Sequence, residues 1–130
     1  MLTHLVLMKP RPDLSSADRA ALVAAFERAV REISTVRRVQ VGRRVQHGAG
    51  YEQAAPDTAD YIAQIDFDDL AGLQAYLRDP IHDELGARFG QSLSAAMVYD
   101  FEVGGVVRDP AAEAVEQHLV VVEDRKTDGS

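Results

Sequence analysis

The sequence of 130 residues contains no cysteine and no tryptophan, and its basic residues are outnumbered. Without cysteine the chain forms no disulfide, and it has no thiolate nucleophile and no cysteine-ligated zinc or iron–sulfur site. Lys and Arg number 14 against 21 Asp and Glu, for a formal charge of −7. Phosphate-backbone binding draws its affinity from concentrated positive charge, so nucleic acid is not an expected partner.

Long apolar runs are also missing, since none approaches the ~20 residues that a membrane span needs. The apolar segment 1–8 has no basic residue ahead of it and no small-residue cleavage site, which predicts a strand and not a signal peptide. We therefore expect no membrane association and a cytoplasmic location. The length fits one domain of roughly 100 to 150 residues, assigned to residues 1–104, with residues 105–130 as a C-terminal extension.

Motifs for nucleotide and metal chemistry are absent. No GxGxxG follows a predicted strand, and no GxxxxGK occurs. The four histidines lack the i, i+4 spacing of a helical metal site. The acidic residues Asp66, Asp68 and Asp69 lie at a strand-to-helix boundary, where carboxylates are usually caps. We expect no cofactor and no metal.

The hydrophobic periodicity predicts an α+β domain. Alternation predicts strands over 2–9, 39–45, 61–67 and 95–103, and spacings of three and four predict a helix over about 16–34 and two helices that meet at Pro80. This order is a ferredoxin-like βαββαβ arrangement, an antiparallel four-stranded sheet with helices on one face. No predicted element covers the other face, which carries Leu5, Leu7 and Ile62, with Tyr99 and Phe101 as further candidates. A second copy would bury it, so a homodimer is expected.

The helix junction brings chemistry-bearing residues together. Pro80 has no N–H to donate, so the preceding helix should end near Asp79, which can then cap a new helix with Pro80 in its first position. This places Tyr76, Asp79 and His82 within seven residues, with His82 in the first turn. The simplest interpretation of His82 is a residue that only caps or packs at the junction.

Three further features of the sequence are Arg43, the segment 47–60 and the C-terminal extension. Arg43 falls on the valine face of the second predicted strand, where it either reaches water near the strand end or serves as a fixed cation for an anionic ligand. Residues 47–60 have no period and predict a loop or flap. In the extension, residues 117–122 are a candidate extra strand, and about the last six residues are expected to be disordered.

Four pieces of the sequence carry a family resemblance: the opening HLVLMK, the VxxVxVG of residues 36–42, AYLRDPIH and VYDFE. Over about residues 1–103 they resemble the Dabb family of stress-responsive dimeric α/β barrels, and within it polyketide cyclases of the olivetolic acid cyclase type. The resemblance implies two sheets that close into a barrel across a homodimer. It also implies that Tyr76 and His82 are catalytic. The substrate-binding residues that it implies, with Tyr61 in place of a second pocket histidine, are His4, Val6, Met8, Leu22, Phe26, Tyr61, Ala63, Leu85, Leu93 and Val98.

These residues suggest aldol-type cyclisation without a cofactor. A neutral His82 would remove a proton between two carbonyls, because imidazole titrates near pH ~6.5, and Tyr76 would donate its O–H to the developing enolate. The predicted enzyme is a cyclase or lyase for a polyketide-like or aromatic hydrophobic small molecule. The alternatives are a cofactor-free monooxygenase-type enzyme and a non-catalytic, stress-responsive ligand-binding dimer. An open pocket lined by Tyr76, His82 and His4 would favour an enzyme, and a cavity filled by Phe26, Met8 and Tyr61 would favour the binding protein.

Overall fold

The computed structural model describes residues 1–104 and confirms the ferredoxin-like arrangement. The strands are β1 (Leu2–Pro10), β2 (Arg38–Arg43), β3 (Tyr61–Phe67) and β4 (Leu93–Glu102), and the helices are α1 (Ser16–Glu32), α2 (Leu70–Arg78) and α3 (Pro80–Ser92). The strands form one antiparallel sheet in the order β2-β3-β1-β4. A short 3-10 helix (Gly50–Gln53) interrupts the predicted loop. The extension, with its candidate strand at 117–122, lies outside the described residues.

The register of the sheet decides which side chains share a face. Paired residues in antiparallel strands point to the same side, and successive residues alternate. Val6 of β1 pairs with Ala63 of β3 and with Val98 of β4. The helix side of β1 therefore carries Leu2, His4, Val6 and Met8 in sequence, and the opposite side carries Leu5 and Leu7.

The core lies between the helices and this first face. Its buried members come from every helix and from β3: Ala25, Ala29, Ile33, Ile65, Phe67, Leu73, Tyr76 and Leu85. A large side chain that is fully buried contributes about 1.5–3 kcal/mol through the area it removes from water. Alanines on α1 let its backbone lie close to the sheet, while Phe67 and Tyr76 fill the space under α2 with ring centroids 5.2 Å apart. The catalytic candidate Tyr76 is thus also a core residue.

The junction between α2 and α3 forms as the sequence predicts. The Asp79 carboxylate accepts a hydrogen bond from the Ile81 N–H at 2.8 Å and caps α3, with Pro80 in its first position. The Asp79 N–H donates to the Tyr76 carbonyl at 3.2 Å, which closes the last turn of α2. Asp79 therefore fixes both the end of α2 and the start of α3. His82 lies in the first turn of α3.

Some predicted ends are displaced by up to two residues. Helix α1 ends at Glu32, because Ile33 turns to an extended conformation and only its N–H still bonds to the Ala29 carbonyl. Strand β2 ends at Arg43, since its partner strand begins at Tyr61 and offers no further ladder pair. Strand β4 begins at Leu93, where an irregularity lets its pairing with β1 run on to Pro10.

Within residues 1–104, no strand or helix covers the predicted open face of the sheet. Tyr99 is 45% exposed and Phe101 49% exposed, and their rings lie 6.1 Å apart. Among residues 1–104, only the loop before β3 reaches this side, through the Asp57 carboxylate on Lys9 at 2.9 Å and a Thr58 hydroxyl 3.5 Å from a methionine sulfur. None of the helices in this part of the chain is long and apolar enough to cross a membrane.

Candidate functional site

A groove of about 540 Å³ opens between α1, strands β2 and β3, and the end of α3. Its lining is largely apolar. Six of the predicted substrate-binding residues line it: Met8, Leu22, Phe26, Tyr61, Ala63 and Leu93. Sequence reasoning missed Val41 and Phe89, which reach the same space from β2 and α3. The groove is open, so Phe26, Met8 and Tyr61 form its walls and do not fill it.

The other four predicted wall residues lie outside this lining. Val6 and Leu85 are each 4% exposed and belong to the packed interior, whereas Val98 on β4 is half exposed. His4 lies one step beyond Val6 on the same face of β1, about 7 Å further along the strand. The structure thus separates the predicted pocket into the groove and a neighbouring polar cluster around His4.

Tyr76 is the centre of that polar cluster. Its side chain is 1% exposed, and its ring centroid lies 4.7 Å from that of His82 and 5.9 Å from that of His4, both edge-on. Within residues 1–104 its hydroxyl has no hydrogen-bond partner, although buried polar groups are normally paired. Burial raises the pKa of Tyr76 to about 12. The phenol therefore stays protonated at neutral pH and remains a hydrogen-bond donor.

The environment of His82 favours its neutral form. The imidazole is half-buried, and this burial, together with the charge of His4, lowers its pKa, while Asp83 and Asp79 act in the opposite direction. Burial is the largest of these influences, so the net shift of the pKa is downward. A neutral imidazole keeps one ring nitrogen free to accept a proton, so His82 has the form that a general base requires.

His4 is held by a residue that the sequence analysis did not identify. Its Nδ1 lies 2.6 Å from Oδ1 of Asp100, its register partner on β4. A carboxylate that accepts the Nδ1 proton fixes the tautomer and orientation of the ring. The side chain of Asp100 is 42% exposed, whereas His4 is buried. The alternating pattern gives the face of Asp100 but not its register, which is why the pair was missed.

Arg43 lies in the wall of the groove, opposite Tyr61 in the β2–β3 ladder. It occupies the strand end and is exposed, which is compatible with both interpretations of Arg43, a side chain that reaches water and a cation for an anionic ligand.

Within residues 1–104, no three histidine, aspartate or glutamate side chains come together as a metal-binding group.

Several solved structures share this fold. A protein of Arabidopsis thaliana matches with a TM-score of 0.69 at 18% identity, over 83% of this chain and 100% of that one. Hydroxynitrile lyase from Passiflora edulis matches with a TM-score of 0.68 at 12% identity, over 82% and 96% of the two chains. A dimeric ferredoxin-like protein of unknown function from Jannaschia sp. CCS1 matches with a TM-score of 0.64 at 22% identity, over 78% and 98%.

At these identities the structural likeness shows the fold alone. A search of curated protein sequences finds no match. The family model of the stress responsive A/B barrel domain, Dabb, matches residues 2–103, which includes all four strands and all three helices. The resemblance seen in the sequence is therefore confirmed at the level of the family, and the chain belongs to the Dabb family.

Proposed function

We propose that this Dabb domain is a cofactor-independent enzyme that carries out lyase or cyclase chemistry on a hydrophobic small molecule. The observation that carries the proposal is the pair formed by Tyr76 and His82. A buried phenol without a hydrogen-bond partner in residues 1–104 lies with its ring centroid 4.7 Å from that of a half-buried imidazole whose pKa is lowered. Such a pair supplies a proton acceptor and a hydrogen-bond donor at one place.

The proposed reaction uses the two groups in complementary roles. Neutral His82 removes a proton from the carbon between two carbonyls, and the electron pair moves onto a carbonyl oxygen as an enolate. The Tyr76 O–H donates a hydrogen bond to that oxygen, and it stays protonated because its pKa is raised to about 12. The enolate carbon attacks a second carbonyl of the same chain, and the imidazolium returns its proton to the new alkoxide.

Ring closure of a poly-β-ketone is the specific reaction proposed. The resemblance to polyketide cyclases assigns catalysis to Tyr76 and His82 and a pocket position to His4, and these three side chains are neighbours here. The hydroxynitrile lyase from Passiflora edulis supports a weaker point, that this fold is compatible with a lyase. In the proposed complex the reacting end of the substrate lies at Tyr76, and its apolar body reaches the groove after the buried side chains of Val6 and Leu85 move aside.

A second candidate function is ligand binding without catalysis. The groove lining does not include Tyr76, His82 or His4. Val6 and Leu85, which are buried, lie between the polar cluster and the groove. A ligand confined to the groove would be bound by apolar contacts and would not meet the imidazole.

We further propose that the chain forms a homodimer through the open face of its sheet. The aromatic side chains on that face are about half exposed, and contiguous apolar surface of this kind marks interaction sites. Structural neighbours from Jannaschia sp. CCS1 and Thermobifida fusca are described as dimeric ferredoxin-like proteins. Two sheets packed through this face form the barrel that gives the family its name.

The test of the enzyme proposal is turnover of a linear poly-β-ketone, followed by mass spectrometry. Aldol closure gives an isomer of the substrate, which chromatography separates at unchanged mass, and subsequent dehydration lowers the mass by one water, whereas a monooxygenase adds oxygen. The His82→Ala variant should lose turnover by about 100-fold or more, the usual contribution of a general base. His47→Ala is the matched control, because His47 is exposed in the loop before β3. Equal turnover in wild type and His82→Ala would reject the proposal, and turnover by neither would favour the binding protein.

A further inference from the structure

The groove has one polar end, at the point where β2 and β3 meet the loop between them. Arg43 is the last residue of β2 and Tyr61 the first of β3, and the two are paired in the ladder. Paired side chains on one face have Cβ atoms about 5 Å apart. Both residues line the groove, and Arg19 of α1 lines it as well. This end of the groove thus carries guanidinium and phenol side chains on adjacent strands.

The two arginines in the lining have no ion pair with an acidic side chain of residues 1–104. Arg44, the next residue along the chain, lies 3.8 Å from the Asp57 carboxylate. Among residues 1–104, neither Arg43 nor Arg19 has such an ion pair. The one acidic residue in the lining is Glu27, so its charged side chains are two cations and one anion. A chain with a formal charge of −7 therefore has a net positive charge in the lining of its apolar groove.

We infer that the groove binds a monocarboxylate with an extended apolar body, and that Arg43 and Tyr61 hold the carboxylate. A guanidinium presents planar donors that match a carboxylate, often with two parallel hydrogen bonds. The Tyr61 hydroxyl is a further donor beside it. The apolar walls, which include Phe26, Leu22 and Phe89, accept the body. A free phosphate would gain nothing from those walls.

The size of the groove fits this class of ligand. Sites for small molecules have volumes of about 300–1,000 Å³ and are mostly apolar with a few placed polar groups. The volume of about 540 Å³ lies within that range. This inference deepens the proposed function. It rests on that proposal in one respect only, namely that the groove holds the apolar body of the substrate. Taken together, the two proposals describe a substrate whose reacting end lies at Tyr76 and whose carboxylate lies at the opposite, Arg43 end of the groove.

The test is calorimetric titration of the full chain with decanoate and with decanol, which share an apolar body and differ in the charged group. Wild type should bind decanoate more tightly than decanol. Arg43→Gln should weaken decanoate binding by about tenfold, as expected for a charge-assisted contact at an exposed site, and should leave decanol binding unchanged. Tyr61→Phe should give a smaller loss for decanoate only.

Arg31→Gln is the matched control, because Arg31 is an exposed arginine of α1 that does not line the groove. Equal affinity for the two ligands in wild type, no binding of decanoate, or an equal loss in Arg31→Gln would overturn the inference. His82→Ala separates it from the proposed function, because that variant should bind decanoate like wild type. Normal decanoate binding together with normal turnover in His82→Ala would reject only the catalytic proposal.

Discussion

At the scale of single residues, the Tyr76 hydroxyl, which has no hydrogen-bond partner within residues 1–104, is the feature that the packing of those residues does not explain. A buried donor without a partner costs about 1–3 kcal/mol relative to a paired one. The packing of the ring against Phe67 would be the same for a phenylalanine. We therefore propose that the hydroxyl has a use beyond the stability of the domain, with a bound oxygen atom as its partner.

The substitution Tyr76→Phe separates the two uses of this side chain. It should leave the free energy of unfolding unchanged or raise it by about 1 kcal/mol, because an unsatisfied polar group is removed from the interior. Turnover should fall by about 100-fold, as for the loss of one oxyanion donor. Thermal unfolding and product assays measure the two effects.

Tyr51→Phe is the comparison for that experiment, because the exposed Tyr51 hydroxyl lies 3.0 Å from Nε2 of His47 in the loop. It should change neither quantity. A clear loss of stability in Tyr76→Phe would show that the buried hydroxyl has a partner in the folded protein, and would remove the main support for the catalytic assignment.

The lowered pKa of His82 predicts a specific pH dependence. Burial and the charge of His4 disfavour the imidazolium in the folded chain, so the unfolded chain, with its ordinary value of 6.5, binds the proton more tightly. The stability contribution of His82 is therefore complete above pH 6.5 and is lost as the pH falls through the lower folded-state value. Turnover should decline over the same acidic range.

NMR titration of the His82 ring protons measures the folded-state pKa directly. The exposed His47 provides an internal reference in the same spectra. A midpoint for His82 at or above 6.5 would contradict the burial argument, and would mean that Asp83 and Asp79 dominate its environment.

The sequence identified Tyr76, His82 and His4 but not the residue that orients His4. The first two are separated by one helix junction, so their proximity follows from local chain geometry. The contact between His4 and Asp100 joins residues 96 positions apart in the chain. It depends on the register between β1 and β4, and a period-two pattern is compatible with several registers.

At the scale of elements, the junction at Asp79 positions the whole candidate pair. The carboxylate caps α3, and the backbone N–H of the same residue closes the last turn of α2. Pro80 then prevents the two helices from merging. Asp79 and Pro80 were predicted in these roles because capping and proline effects are local. The observed ends of α1, β2 and β4 differ from the predicted ones because they depend on tertiary pairing.

Asp79→Ala tests whether this junction acts on the site as well as on the fold. Loss of the cap should lower the free energy of unfolding by about 1 kcal/mol. Loss of the carboxylate should also lower the pKa of His82 further, since Asp79 is one of the two groups that raise it. Chemical denaturation and NMR titration measure the two effects.

Ser15→Ala is the matched cap deletion, because the Ser15 hydroxyl accepts from the Asp18 N–H at 3.1 Å at the start of α1. It should cost a similar stability and leave the titration of His82 unchanged. If both variants shift that titration equally, the effect of Asp79 is a general loosening of the helices and not a local charge effect.

At the scale of the whole molecule, the two faces of the sheet carry different features. The helix side carries the core, the groove and the polar cluster, so every functional residue that we propose belongs to a single chain. The open side carries Leu5, Leu7 and the exposed rings of Tyr99 and Phe101. A barrel formed by two copies would therefore stabilise each site without completing it, since neither the groove nor the cluster lies on that face.

Because the site and the open face lie on opposite sides of the sheet, we expect that dimerisation and ligand binding can be separated by mutation. Leu7→Glu places a carboxylate in the middle of the open face, where a two-fold interface would bury it and bring it close to its own copy. Light scattering should give the mass of one chain for this variant and of two for wild type. Leu70→Glu is the control, because Leu70 is 55% exposed at the start of α2, on the helix side. A monomeric wild type would refute the dimer, and loss of decanoate binding in a folded Leu7→Glu monomer would show that the groove depends on the partner.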